Sequence, residues 1–282
     1  MIKIEAVTAK SASETMDFLR RYADQAQFLL SNLANFGFRC GDHLNSSDYF
    51  ILRDQNDCIT TVFSHGNRKN ILYQSTQAID PNIILDFCKE TQRVVGGFIG
   101  DWTGIEPLYH TYCKRNPDYQ PSYVSKEILY DRNLIPEGEI RDESVRLLTK
   151  DDFQAWTPLQ QGFLQDTGIQ EIISEDERRR LFESMVKENC WWGLWSADEL
   201  LAVASLNGKF ETRGQLGGVY TKREHRSRGL SKRLIRHILA DCIEIHGHTR
   251  NILFTGESNI PARKVYEGLG YGTIGHYAII LE

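Results

Sequence analysis

The ten residues HRSRGLSKRL, His225 to Leu234, decide how this chain is read. Arg226, Arg228, Lys232 and Arg233 crowd together in a protein of formal net charge −5, and Gly229 stands where a helical period begins. A solvated basic helix face accounts for the charges but leaves the glycine unexplained. Upstream, QLGGVYT (215–221) reads as a strand. Downstream, Leu230, Leu234, Ile238 and Cys242 recur every fourth residue and predict a helix over 229–245. The first N–H groups of such a helix lack intrahelical partners and sit at the positive end of its dipole. Glycine lets an anion approach the backbone closely, and the small Ser231 keeps that approach open. The expected result is a phosphate cradle, to which Arg226, Arg228, Lys232 and Arg236 add charge.

The bulk composition narrows the partners. At 282 residues the chain suits two domains of about 140 each. Its 41% hydrophobic and 25% charged residues are ordinary for a soluble globular protein. No apolar run is long enough to predict a membrane span. MIKIEAVTAK at the start reads as a strand rather than an export signal, so a cytoplasmic protein with reduced thiols is expected. Cys40, Cys58, Cys88, Cys113, Cys190 and Cys242 are scattered without a C-x-x-C pair, which argues against zinc. The histidines of HGH (246–248) read as neighbours of a helix-ending glycine, and no metal site is expected. A pI near 5.9 argues against nucleic acid as a partner and for a small anionic ligand. Oligomeric state is not legible.

The second half alternates clearly. VRLL (145–148) is a predicted strand, followed by two helices, the second opened by Ser174 as N-cap. WWGLWS and LLAVASLN form a predicted hairpin around Asp198 and Glu199. After the strand at 215–221 and the helix at 229–245 come the strand NILFTG (251–256), the helix PARKVYEGLG and a closing strand, YGTIGHYAIILE. The first half repeats this order in different residues. A helical region at 11–36 leads to strands YFILRD, ITTVFSH and ILYQST, a helix near 82–93, the strand VVGGFIG, a helix near 103–114 and a strand around KEILYD. With PEGEIRDE (136–143) as linker, the expected domains are 1–136 and 142–282, an internal duplication of one α/β unit. Trp102, Tyr109 and Tyr112 read as core aromatics.

Arg226-Ser227-Arg228-Gly229-Leu230-Ser231 resembles the R-x-x-G-x-[GA] signature of the GNAT superfamily of N-acyltransferases. Ser231 replaces the family's Gly or Ala while staying small. At the expected distance, Asn259 to Tyr271 resembles the family's N-x-x-A-x-x-x-Y-x-x-x-G-[FY], with Asn259, Ala262 and Tyr266 along one helix face. The resemblance implies an α/β fold of two GNAT-like domains, each a mixed twisted sheet flanked by helices. It covers 142–282 by motif and the first half by element order only. The first half has TQAIDPN where the cradle would lie and lacks the asparagine–tyrosine helix, so a degenerate domain that binds no coenzyme A is expected.

The resemblance also implies the chemistry: acetyl-CoA as cosubstrate, a small amine or amino-acid-like acceptor, and direct attack of the amine on the thioester. Val219, Tyr220, Thr221, Arg226, Ser227, Arg228, Gly229, Leu230, Ser231 and Asn259 are the implied cofactor-binding residues. A backbone N–H within Val219 to Thr221 would steady the oxyanion, with Gly217-Gly218 allowing a bulge or simply easing packing. Tyr266 is the candidate general acid, because a phenol of pKa about 10 can donate to a thiolate whose acid is near 8.5. Glu257 is a candidate base acting through water. Peptide N-terminal acetyltransferases of the superfamily often carry a strand glutamate where this chain has Phe254. Asp166, Glu171 and Glu175 could attract a cationic amine. Three alternatives stay open: a coenzyme A-binding sensor without turnover, acetylation of a protein or peptide amine, and transfer of an aminoacyl or long acyl group.

Overall fold

The computed structural model describes residues 3–136, 140–170 and 173–282. The centre of the expected linker (137–139) and Glu171 lie outside these residues. Among the described residues no helix is long and apolar enough to cross a membrane. Two compact units divide the chain: Met1–Ile128 with Gly275–Glu282, and Leu129–Ile274. Both are mixed α/β. The boundary falls within strand β6 (Tyr123–Asn133) rather than in the expected linker.

The first unit opens with β1 (Ile4–Ala6), α1 (Ala12–Arg21) and α2 (Gln27–Phe36). The single helical region expected at 11–36 is thus two helices separated by a turn. Strands β2 (Ser47–Arg53), β3 (Ile59–Gly66) and β4 (Asn70–Ser75) pair antiparallel in chain order. Helix α3 (Pro81–Glu90) returns the chain so that β5 (Gly97–Asp101) lies parallel to β4, and α4 (Trp102–Arg115) follows at once. Phe50, Phe63, Tyr73, Phe98, Ile105 and Leu108 form the core between sheet and helices, with Trp102, Tyr109 and Tyr112 packed against it as expected. The last strand, β12 (Gly272–Leu281), pairs antiparallel with β5 through Tyr277–Leu281 and Asp101–Gly97. The closing strand, read from sequence as the end of the second domain, therefore belongs mainly to the first unit. Alternation along GHYAIIL predicts a strand but does not say which neighbour it meets.

In the second unit β7 (Val145–Leu147), β8 (Trp191–Ser196), β9 (Glu199–Phe210) and β10 (Arg213–Thr221) pair antiparallel in sequence, and β11 (Arg250–Gly256) joins β10 in parallel. Helices α5 (Phe153–Thr167), α6 (Glu175–Lys187), α7 (Leu230–Glu244) and α8 (Ile260–Glu267) complete it. Ser174 caps α6 as expected, its hydroxyl accepting from the Glu177 N–H at 3.2 Å. Adjacent tryptophans on β8 show how the sheet is covered, since neighbouring strand residues point to opposite faces. Trp191 meets Trp156 of α5 at 5.3 Å between centroids, while the Trp192 indole N–H donates to Asp241 of α7 at 2.7 Å. Helices α5 and α7 thus cover opposite faces.

Candidate active site

The site begins where two strands part. Strands β10 and β11 are paired only from Arg213–Gln215 to Arg250–Ile252, yet β10 runs on to Thr221 and β11 to Gly256. Beyond Gln215, β10 keeps its partner β9 and changes register: Gly217 faces Ser205 but Tyr220 faces Val203. Three steps on β10 thus match two on β9, which is a bulge. The two glycines serve it differently. A Cβ on Gly217 would lie 2.2 Å from the Asn207 side-chain nitrogen, and Gly218 takes φ +60. Both readings of Gly217-Gly218, bulge and close packing, hold together. Val219, Tyr220 and Thr221 form the end of this distorted strand.

The chain then turns through Arg223–His225 into α7. Ser227 (φ 61) and Gly229 (φ 73) both have left-handed backbone. Gly229 is the N-cap of α7, no side chain caps the helix, and a Cβ there would meet nothing within 4 Å. The first N–H groups of this fifteen-residue helix thus have no side-chain cap, and the space beside Gly229 is open, at a position only glycine adopts without strain. The arrangement fits a phosphate. The Leu230 side chain is buried beneath the cradle, while Ser227 and Arg228 are exposed.

The basic residues are not equally available. Arg223 and Arg226 both bind the carboxylate of Asp166 on α5, and their hydrogen bonds hold that carboxyl below its ordinary range. The Arg226 Nε also donates to the Thr221 carbonyl at 3.1 Å, and its guanidinium lies 5.2 Å from the Tyr220 ring centroid. Arg228 approaches His225 Nδ1 at 3.4 Å. Arg233 is drawn to Asp142 at 2.6 Å, away from the cradle. The ligand atoms of Glu199, Glu224 and His225 lie within 4.8 Å of one another, but Lys222 already neutralises Glu199 at 2.5 Å.

Helix α8 flanks α7. A Cβ on Gly268, just past the end of α8, would lie 3.7 Å from Lys232 Nζ in the first turn of α7. Asn259 caps α8, its Oδ1 accepting from the Ala262 N–H at 3.3 Å. Tyr266 is 6% exposed, its ring 6.2 Å from that of Tyr130 and 6.1 Å from that of Tyr271. Two hydrogen bonds with no sequence signature steady this flank: Tyr130 to Glu267 at 2.8 Å and Tyr271 to Asn251 at 2.6 Å. Glu257 is exposed at the end of β11, and its carbonyl accepts from Arg263 at 3.0 Å. Phe254 is partly buried on β11.

The first unit's counterpart differs at each point. Helix α3 is opened by Asp80, whose carboxylate accepts from the Asn82 N–H at 3.0 Å, so an anion of the chain already occupies that N-terminus. The ring of Tyr73, the last β4 residue paired with β5, packs on Gly104 so closely that a Cβ there would clash with it.

Residues 153–271 match the model of the Acetyltransferase (GNAT) family. A Bacillus subtilis (strain 168) protein named uncharacterized N-acetyltransferase YsnE is 33% identical over 86 residues, 30% of this chain and 56% of that protein. The chain thus spans little more than half the length of that curated relative. A Drosophila protein of solved structure superposes with TM-score 0.67 at 14% identity, covering 100% of this chain and 99% of the other. A tandem GNAT protein from the clavulanic acid biosynthesis pathway superposes with TM-score 0.60 at 11% identity, covering 99% of this chain and 97% of that one. At such identities these likenesses carry the fold alone.

Proposed function

We propose that this chain, whose residues 153–271 match the GNAT acetyltransferase family model, transfers an acetyl group from acetyl-CoA to the primary amine of a small, amino-acid-like molecule. The observation that carries the reading is the open N-terminus of α7, entered through a left-handed Gly229 beside strands that have parted. The N–H groups of Leu230 and Ser231, with Ser227, Arg228 and Arg226 around them, hold the pyrophosphate. Asn259 caps the flanking helix.

Bound acetyl-CoA supplies a thioester whose carbonyl carbon accepts the amine. A backbone N–H of the bulged Val219–Thr221 segment donates to the carbonyl oxygen as it gains charge. The amine nitrogen forms the C–N bond and loses a proton, the C–S bond breaks, and Tyr266 gives its proton to the departing sulfur. Glu257, exposed at the end of β11, receives the amine proton through water. Among its described residues the first unit, with Asp80 across its helix start and Tyr73 packed on Gly104, offers no comparable phosphate cradle and serves as a scaffold.

Calorimetric titration of the full chain with acetyl-CoA tests this reading, beside thiol release with a panel of amines. One binding event per chain, lost in Gly229→Glu, and thiol released with at least one amine are the expected results. Two binding events would overturn the role given to the first unit. Binding without thiol release from any small or peptide amine would favour a coenzyme A sensor, and no binding would sink the reading.

A further inference from the structure

Asp166 stands in the last turn of α5, where the helix dipole disfavours a carboxylate. Its partners are not on its own helix. It binds two arginines at once: Arg223, whose Nε donates at 3.0 Å, and Arg226, which also donates its Nε to the Thr221 carbonyl. Arg226 lies three residues before the glycine that opens the phosphate cradle. One carboxylate thus spans the gap from α5 to the cradle loop and holds the arginine that a phosphate would also attract. The Asp166 side chain is 25% exposed, against 43% and 63% for Arg226 and Arg223, so the pair lies at the protein surface, where a polyanion can reach it.

Two guanidiniums on one carboxylate make an exchange inexpensive. If Arg226 swings to a phosphate, Arg223 still neutralises Asp166, and no charge is stranded. If Arg223 were absent, releasing Arg226 would leave Asp166 unpaired. We infer that Asp166 is an internal competitor of the cofactor's pyrophosphate for Arg226, an affinity-setting residue with Arg223 as the partner that keeps the exchange reversible. The inference rests on the acetyl-CoA reading above.

The test is acetyl-CoA affinity measured by calorimetry on the full chain, with thermal midpoints recorded alongside. Asp166→Asn should bind about three- to fivefold more tightly than wild type, the weight of one half-exposed ion pair. Asp166→Glu should restore wild-type affinity, and Arg223→Ala should weaken binding. In an Arg226→Ala background, Asp166→Asn should change nothing, because the contested arginine is gone. A structural role for Asp166 would lower the midpoint and weaken or spare binding, and would not tighten it. Unchanged or weaker binding by a folded Asp166→Asn overturns this inference alone. No binding by the wild type overturns the acetyl-CoA reading and this inference with it.

Discussion

Replacing Gly229 by Asn or by Asp separates charge from shape at the cradle. The two side chains have nearly the same volume, and both tolerate the left-handed region better than other non-glycine residues do. At φ +73, with open space around the added Cβ, each should cost about 1 kcal/mol of backbone strain and no steric clash. For a domain of this size that shifts the thermal midpoint by about 3 °C, equally in both variants. Ligand binding should not change equally. A phosphate seated on the Leu230 and Ser231 N–H groups would lie about 5 Å from the new carboxylate. At an effective dielectric of roughly 20 to 40, one pair of unit charges at that spacing repels by about 1.5–3 kcal/mol. Gly229→Asp should therefore bind acetyl-CoA at least about tenfold more weakly than Gly229→Asn. Titration calorimetry at low and high salt measures both, and the gap should narrow as salt screens the pair. Equal affinities of the two variants at low salt would refute the electrostatic account of the cradle.

Tyr266→Phe should lower kcat by about a hundredfold while leaving the acetyl-CoA Kd within about twofold, the split expected of a proton donor to the leaving sulfur; equal kcat in stopped-flow thiol release would remove Tyr266 from that role. Burial holds His248 down at about 4, so between that value and the free value the unfolded chain binds a proton that the folded chain refuses. Its contribution to stability is complete above about pH 6.5 and is lost as pH falls toward 4, by about 2–3 kcal/mol. Urea midpoints across this range should show the slope, and His248→Gln should flatten it. Gly162 on α5 admits the Tyr220 hydroxyl, which would stand 2.3 Å from an added Cβ. Gly162→Ala should destabilise by about 1–3 kcal/mol, with part recovered in Tyr220→Phe, as measured by denaturant unfolding.

Local features of the site were legible because their causes are local. A glycine between arginines after a strand, an asparagine three residues before a small residue, and two glycines inside a strand each state a backbone requirement, and the structure meets all three at Gly229, Asn259 and Gly217-Gly218. What escaped depends on residues far apart in the chain. Sequence alone offers Asp166 as a lure for a cationic amine; its partners lie 57 and 60 positions away, and no spacing rule reaches them. The closing strand announces itself by its alternation, but its neighbour, β5, is set by tertiary packing. The break between α1 and α2 carries no proline or glycine in Tyr22–Ala26 to announce it. Asp80 lies between these cases. As an N-cap followed by Pro81 it was readable, but its meaning emerges only beside α7. The same position in two α/β units is opened by a carboxylate in one and by a bare glycine in the other. A helix start that supplies its own anion has no N-terminal charge left to offer a phosphate, whereas one that supplies none remains available to bind it.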